Sequence, residues 1–154
     1  MQPFEPVAVD LRDYVDFDLT EAIGRRVFTT DVVAVDVVCL EPAQQIDART
    51  LAGADAIYTV LGGRAWVVTD EAEVTLDPLQ AVVVPAGIPH GVRNDGADPL
   101  ILQLVVSPPD ELPDSAEGPA AQVGDLGAPD SPPRAGLRDR LRRTLGGSPE
   151  QAQP

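Results

Sequence analysis

The chain has 154 residues with one histidine, one cysteine and no lysine, so few side chains can do chemistry at neutral pH. The histidine, His90, lies in Pro85-Ala86-Gly87-Ile88-Pro89-His90-Gly91-Val92-Arg93-Asn94, a spacing of P-x-G-x2-H-x3-N. An imidazole titrates near neutrality, which suits His90 either to metal ligation or to moving a proton. A single imidazole holds a transition metal poorly unless other donors join it. Asp47, Cys39 and Gln44 are the ligand types on offer, with His90 and Asp47 as the metal pair if an ion is held at all. Cys39 sits in a valine-rich run, where a thiol is ordinarily inert core rather than a nucleophile.

With the motif around His90 the chain resembles the cupin family, over roughly residues 25–108. At the family's spacing the first motif, G-x5-H-x-H-x4-E-x6-G, falls on Ala43, Arg49, Leu51, Ala56 and Gly63, and only the last glycine is kept. The resemblance implies an all-β fold, an antiparallel cupin-type β-barrel of jelly-roll form. In the family the two histidines and the glutamate of the first motif join the later histidine around a divalent metal. Arg49, Leu51 and Ala56 cannot take that role, so neither a metal nor another cofactor is expected.

The family register turns Arg49, Leu51, Ala56 and His90 inward. Side chains alternate along a strand, which places Tyr58 and Val60 beside Ala56, and Asp47 beside Arg49. In the run 32–40 the apolar set Val33, Val35, Val37 and Cys39 is assigned to the interior and Asp36 to the outer face. On the last strand Gln103 is assigned inward with Ile101 and Val105. The expected ligand-binding pocket thus holds Arg49, Tyr58, His90 and Gln103 among aliphatic walls. A guanidinium in such a pocket favours a carboxylate or phosphate, so a small anion is the expected ligand of a non-catalytic, metal-free binding or accessory protein.

Other outcomes stay open at this level. Arg49 can pair with Asp47 or Asp55 or extend out of the barrel mouth, leaving His90 as a hydrogen-bonded core histidine. If the chain is an enzyme, His90 and Tyr58 are the catalytic candidates, in a metal-independent isomerase or lyase. A metal-dependent dioxygenase with a non-standard site is the other enzymatic form. Trp66 fits core, a dimer interface or a stacking surface.

The elements that must position these groups are short β-branched runs at 27–30, 32–40, 57–61, 65–69, 74–76, 81–84, 90–93 and 100–106, with no long helical period between them. Gly62-Gly63, Asp77-Pro78 and Asn94-Asp95-Gly96 supply turns. Residues 1–24 are expected to pack on the barrel as a short strand or helix, with Thr20 or Asp18 as a cap before Glu21-Ala22-Ile23-Gly24. The barrel itself is assigned to 25–108. Residues 109–133 are rich in proline and expected to be a disordered linker. In 134–147, Leu137, Leu141 and Leu145 fall on one face between arginines from Arg134 onward, the pattern of a short amphipathic basic helix able to meet a protein partner. Residues 148–154 are expected to be a disordered end.

The formal charge is −14, from 25 acidic and 11 basic side chains. Residues 1–130 carry 23 acids and 6 arginines, whereas 131–154 carry 5 arginines and 2 acids, so tail and body are opposite in sign. An acidic barrel repels phosphate backbones, which excludes nucleic acid as its partner. The longest apolar run is far shorter than a membrane span, the N-terminus has no signal-peptide pattern, and one cysteine makes no internal disulfide; a cytoplasmic protein without a transmembrane segment is expected. The resemblance adds a homodimer, since cupins commonly pair through barrel strands.

Overall fold

The computed structural model describes residues 3–109. Nine strands follow one another: β1 (Ile23–Thr29), β2 (Ala34–Leu40), β3 (Gln45–Arg49), β4 (Asp55–Gly62), β5 (Ala65–Thr69), β6 (Glu73–Leu76), β7 (Ala81–Val84), β8 (His90–Arg93) and β9 (Leu100–Ser107). They pair antiparallel in two sheets, ordered β1-β2-β9-β4-β7 and β3-β8-β5-β6. β4 displays the period of two that builds the interior: Ala56, Tyr58 and Val60 are fully buried, whereas Ile57 and Thr59 between them are not. Leu51, Leu76, Val84 and Val92 close on that row to form the main core. Composition alone does not mark β3, whose one β-branched residue is Ile46; its pairing with β8 makes it a strand.

The faces of β2 and β9 are the reverse of the sequence-based assignment. Ala34, Val38 and Leu40 of β2, with Leu100, Leu102, Leu104 and Val106 of β9, belong to the barrel core. Val37, Cys39 and Ile101 point the other way, into a second cluster with Tyr14, Val15 and Phe17. The N-terminal segment lies over the outer face of this sheet, so β2 is apolar on both sides and its parity gives no direction. Asp36 therefore faces inward, 2% exposed, and Gln103 faces outward, away from the barrel interior.

The N-terminal segment begins with a 3-10 turn, Leu11–Tyr14, where the Asp10 carboxylate accepts from the Arg12 backbone N–H at 3.0 Å. No helix follows Asp18 or Thr20. The Asp18 carboxylate instead accepts from the Thr20 N–H and hydroxyl, and β1 starts at Ile23. The expected linker (109–133, from residue 110 on), basic helix (134–147) and terminal end (148–154) lie outside the described residues.

Buried Asp36 is matched by a buried cation. The hairpin of β1 and β2 sets Arg26 directly opposite Asp36, and the guanidinium Nε donates to a carboxylate oxygen at 2.5 Å. Burial holds the Asp36 carboxyl above the usual carboxylate range, opposed by the hydrogen bond and charge of Arg26 and, more weakly, by Arg49. Two turn positions are also informative. Gly63, the retained motif glycine, has φ +86, and a Cβ there would collide with the Pro99 carbonyl. Ala43, where the family motif has its first glycine, keeps a left-handed φ of +69 without being one.

Two stability tests follow from these features. Left-handed backbone costs alanine about 1–2 kcal/mol, partly offset by the greater unfolded-chain freedom of glycine. Ala43→Gly is accordingly expected to stabilise by about 0.5–1 kcal/mol in denaturant unfolding. Asp36→Ala, which strands a buried guanidinium, is expected to cost about 3–5 kcal/mol, whereas the double replacement Arg26→Met with Asp36→Leu should cost much less. Equal losses in the two variants would show that the charges contribute more than mutual neutralisation.

Candidate functional site

His90 is placed by the turn that precedes it. Gly87 adopts φ +84, its N–H donates to the Leu51 carbonyl at 2.8 Å, and the Ala86 N–H donates to the Asp55 carboxylate at 2.9 Å. These bonds tie the turn to the chain that enters β4. The His90 ring then meets the Ile88 carbonyl through Nδ1 at 3.0 Å and the Tyr58 hydroxyl through Nε2 at 2.8 Å. A carbonyl only accepts, so Nδ1 carries the proton, and Nε2 shares a hydrogen bond with the Tyr58 hydroxyl. Arg49 Nη2 donates to the same Tyr58 oxygen at 3.1 Å. The result is a chain from guanidinium to phenol to imidazole to backbone, with the Tyr58 and His90 rings edge to face at 5.4 Å.

Arg49, Tyr58 and His90, expected to converge, do converge. Burial raises the Tyr58 pKa against the opposing charge and hydrogen bond of Arg49, so the phenol is neutral around pH 7. The Arg49 Nε–H is buried with no hydrogen-bond partner among the described residues. An orphaned buried donor costs about 1–3 kcal/mol.

Arg49 also lines a cavity of about 280 Å³ between the edge strands β1 and β3. Val38, Ile46 and Leu104 form apolar wall, and Glu21, Asp36, Gln45 and Asp47 supply the other polar groups. Tyr58 and His90 do not line it; they stand behind Arg49. Asp47 is exposed, with its carboxylate accepting from Gln45 Nε2 at 3.1 Å. A bulge between Ile46 and Arg49 breaks the simple alternation that placed Asp47 inside with Arg49.

Metal ligation does not fit these residues. The ligand places of the first motif hold Arg49 and the core aliphatics Leu51 and Ala56, and both ring nitrogens of His90 are engaged. Among the described residues no group of three or more His, Cys, Asp or Glu side chains is arranged to hold an ion. Cys39 lies in the outer cluster, its thiol pushed up to about 12 by burial. Gln44 is a brace: its side chain accepts from the Glu41 N–H and donates to the Asp18 carbonyl. Asn94, the last motif residue, is also structural, donating to the Leu40 and Asp98 carbonyls and accepting from the Gly96 N–H. Trp66 alternates with buried Ala65 and Val67, so it sits on the outer face of its sheet and does not fill the core.

The residues missed from sequence are Glu21, Asp36 and Gln45 of the cavity wall. The signal for Asp36 is hidden by a bulge: the turn at 30–33 pairs Thr29 with Ala34, which alone would set position 26 opposite 37, and the irregularity between Arg26 and Phe28 brings it opposite Asp36. Glu21 gave none, because its place depends on how residues 18–22 approach β3.

Comparison with known proteins agrees with the architecture. The family described as Cupin domain matches residues 36–107. Among solved structures, TT1209 from Thermus thermophilus is 33% identical, covers 66% of this chain and 96% of its own, and superposes with a TM-score of 0.63. A conserved protein with a double-stranded β-helix domain from Klebsiella pneumoniae is 26% identical over 68% of this chain and 91% of that one, with a TM-score of 0.63. A cupin superfamily protein from Desulfitobacterium hafniense shares the fold at 18% identity, covering 68% and 93% of the two chains, with a TM-score of 0.58. The comparison with curated proteins finds no match. The family match, the double-sheet barrel and the intact turn around His90 together make this chain a member of the cupin superfamily.

Proposed function

We propose that this cupin is a metal-free, non-catalytic binding protein whose small ligand is anchored by the Arg49 guanidinium in the cavity between β1 and β3. The observation that carries the reading is the Arg49 guanidinium, which lines the cavity and forms no ion pair among the described residues. A carboxylate or phosphate oxygen is the natural acceptor for a donor whose charge cannot be neutralised by losing a proton. Tyr58 and His90 hold the guanidinium in place from behind. Their position also favours binding over acid–base catalysis, because neither reaches the cavity wall where a substrate would sit. Gln103, on the opposite face of β9, is not part of this proposal.

A homodimer and a cytoplasmic location belong to the same proposal. Ile57 and Val83 are register partners on the outer face of β4 and β7, 40% and 56% exposed, which supports a second copy packing there. Among the described residues no helix is long and apolar enough to cross a membrane.

The test is thermal unfolding with a library of small carboxylic acids, amino acids and phosphates. A ligand at a hundredfold excess over its Kd stabilises by about 2.7 kcal/mol, a shift of the order of 10 °C for a domain of this size. At least one such compound is expected to raise Tm, and Arg49→Gln is expected to abolish the rise; a library without effect would overturn the reading. Protein purified without chelators is expected to hold far less than one transition-metal ion per chain by elemental analysis. One ion per chain, lost in His90→Ala, would overturn the metal-free part.

A further inference from the structure

We infer that the cavity selects a small zwitterion, a molecule with a cationic group a few bonds from its carboxylate, in preference to a simple anion. This rests on Arg49 acting as the carboxylate anchor. The wall carries three carboxylates, those of Glu21, Asp36 and Asp47, against the single guanidinium of Arg49. Asp36 is answered by Arg26 from the adjoining strand. Glu21 and Asp47 form no ion pair among the described residues, and both are exposed. Arg49 is the least exposed of the three.

An anion bound at Arg49 shares the cavity with these two like charges. A ligand with an ammonium a few bonds from its carboxylate turns both repulsions into attractions, and electrostatic complementarity of this kind sets specificity. The apolar part of the wall, Ala22, Val38, Ile46 and Leu104, suits a short methylene spacer. A volume of about 280 Å³ limits the ligand to a small molecule, below the usual range for drug-sized compounds. The chemical class is thus an ω-amino acid or a similarly short amino carboxylate.

Matched pairs test this by isothermal titration on the full chain: β-alanine against propionate, γ-aminobutyrate against butyrate, and butylamine as the amine without a carboxylate. The amino acids are expected to bind at least tenfold tighter than their isosteric acids. In the double variant Glu21→Gln with Asp47→Asn, both exposed positions, the ratio should fall toward one, while Arg49→Gln should remove binding of acids and amino acids alike. Acids binding as tightly as their amino partners would overturn the zwitterion inference and leave the anchor role of Arg49 standing. Butylamine binding as tightly as γ-aminobutyrate would overturn the anchor role and the inference with it. No binding of any probe at millimolar concentration would overturn both.

Discussion

A guanidinium cannot shed its charge by losing a proton, and this barrel directs two of them toward an interior whose other walls are mostly aliphatic. The two are answered differently. Arg26 is matched by a carboxylate on the next strand, a pairing that neutralises charge but whose two desolvation costs leave little net stabilisation. Arg49 is held by a neutral phenol, which orients one nitrogen and neutralises nothing. The arrangement around Arg49 is therefore incomplete in a way that the one around Arg26 is not, and the chemistry of the site follows from that difference.

The same contrast explains why the turn carrying His90 is intact although the metal-binding set is lost. In this chain the imidazole hydrogen-bonds the Tyr58 hydroxyl through Nε2, and its Nδ1–H is fixed by the Ile88 carbonyl. The turn from Pro85 to Pro89 sets the ring plane, the ring sets the phenol, and the phenol sets the guanidinium. The backbone keeps other traces of the family motif as well: Ala43 retains a left-handed conformation where the motif has glycine, while Gly63 is held to glycine by the approach of Pro99.

The barrel and the convergence of Arg49, Tyr58 and His90 were legible in the sequence, because one intact motif fixed the register and β4 alternates cleanly between core and solvent. Asp36 and Gln103 were not. Both sit on strands whose two faces are apolar, since the segment around Tyr14 and Phe17 buries the side that would otherwise meet water. Alternation identifies the interior only when one face is wet. Asp47 was misplaced for a different reason, the extra residue of a bulge, which short polar strands such as β3 do not announce. The cavity wall, to which Glu21 and Asp47 both contribute, depends on the approach of two segments far apart in the chain, and no local pattern encodes it.

The cavity lies along a seam. β1 and β3 are edge strands of different sheets, so no ladder of backbone hydrogen bonds joins its two sides. A bridge across it is the side-chain bond from Gln44 to the Asp18 carbonyl. Within each sheet the distance between neighbouring strands is set by the fixed spacing of the peptide ladder, but here it is set by side-chain packing and by ties of this kind. The mouth can thus widen or narrow by small displacements of residues 18–22 without breaking a strand pairing, which gives the double sheet a compliant margin at the place where a ligand would enter.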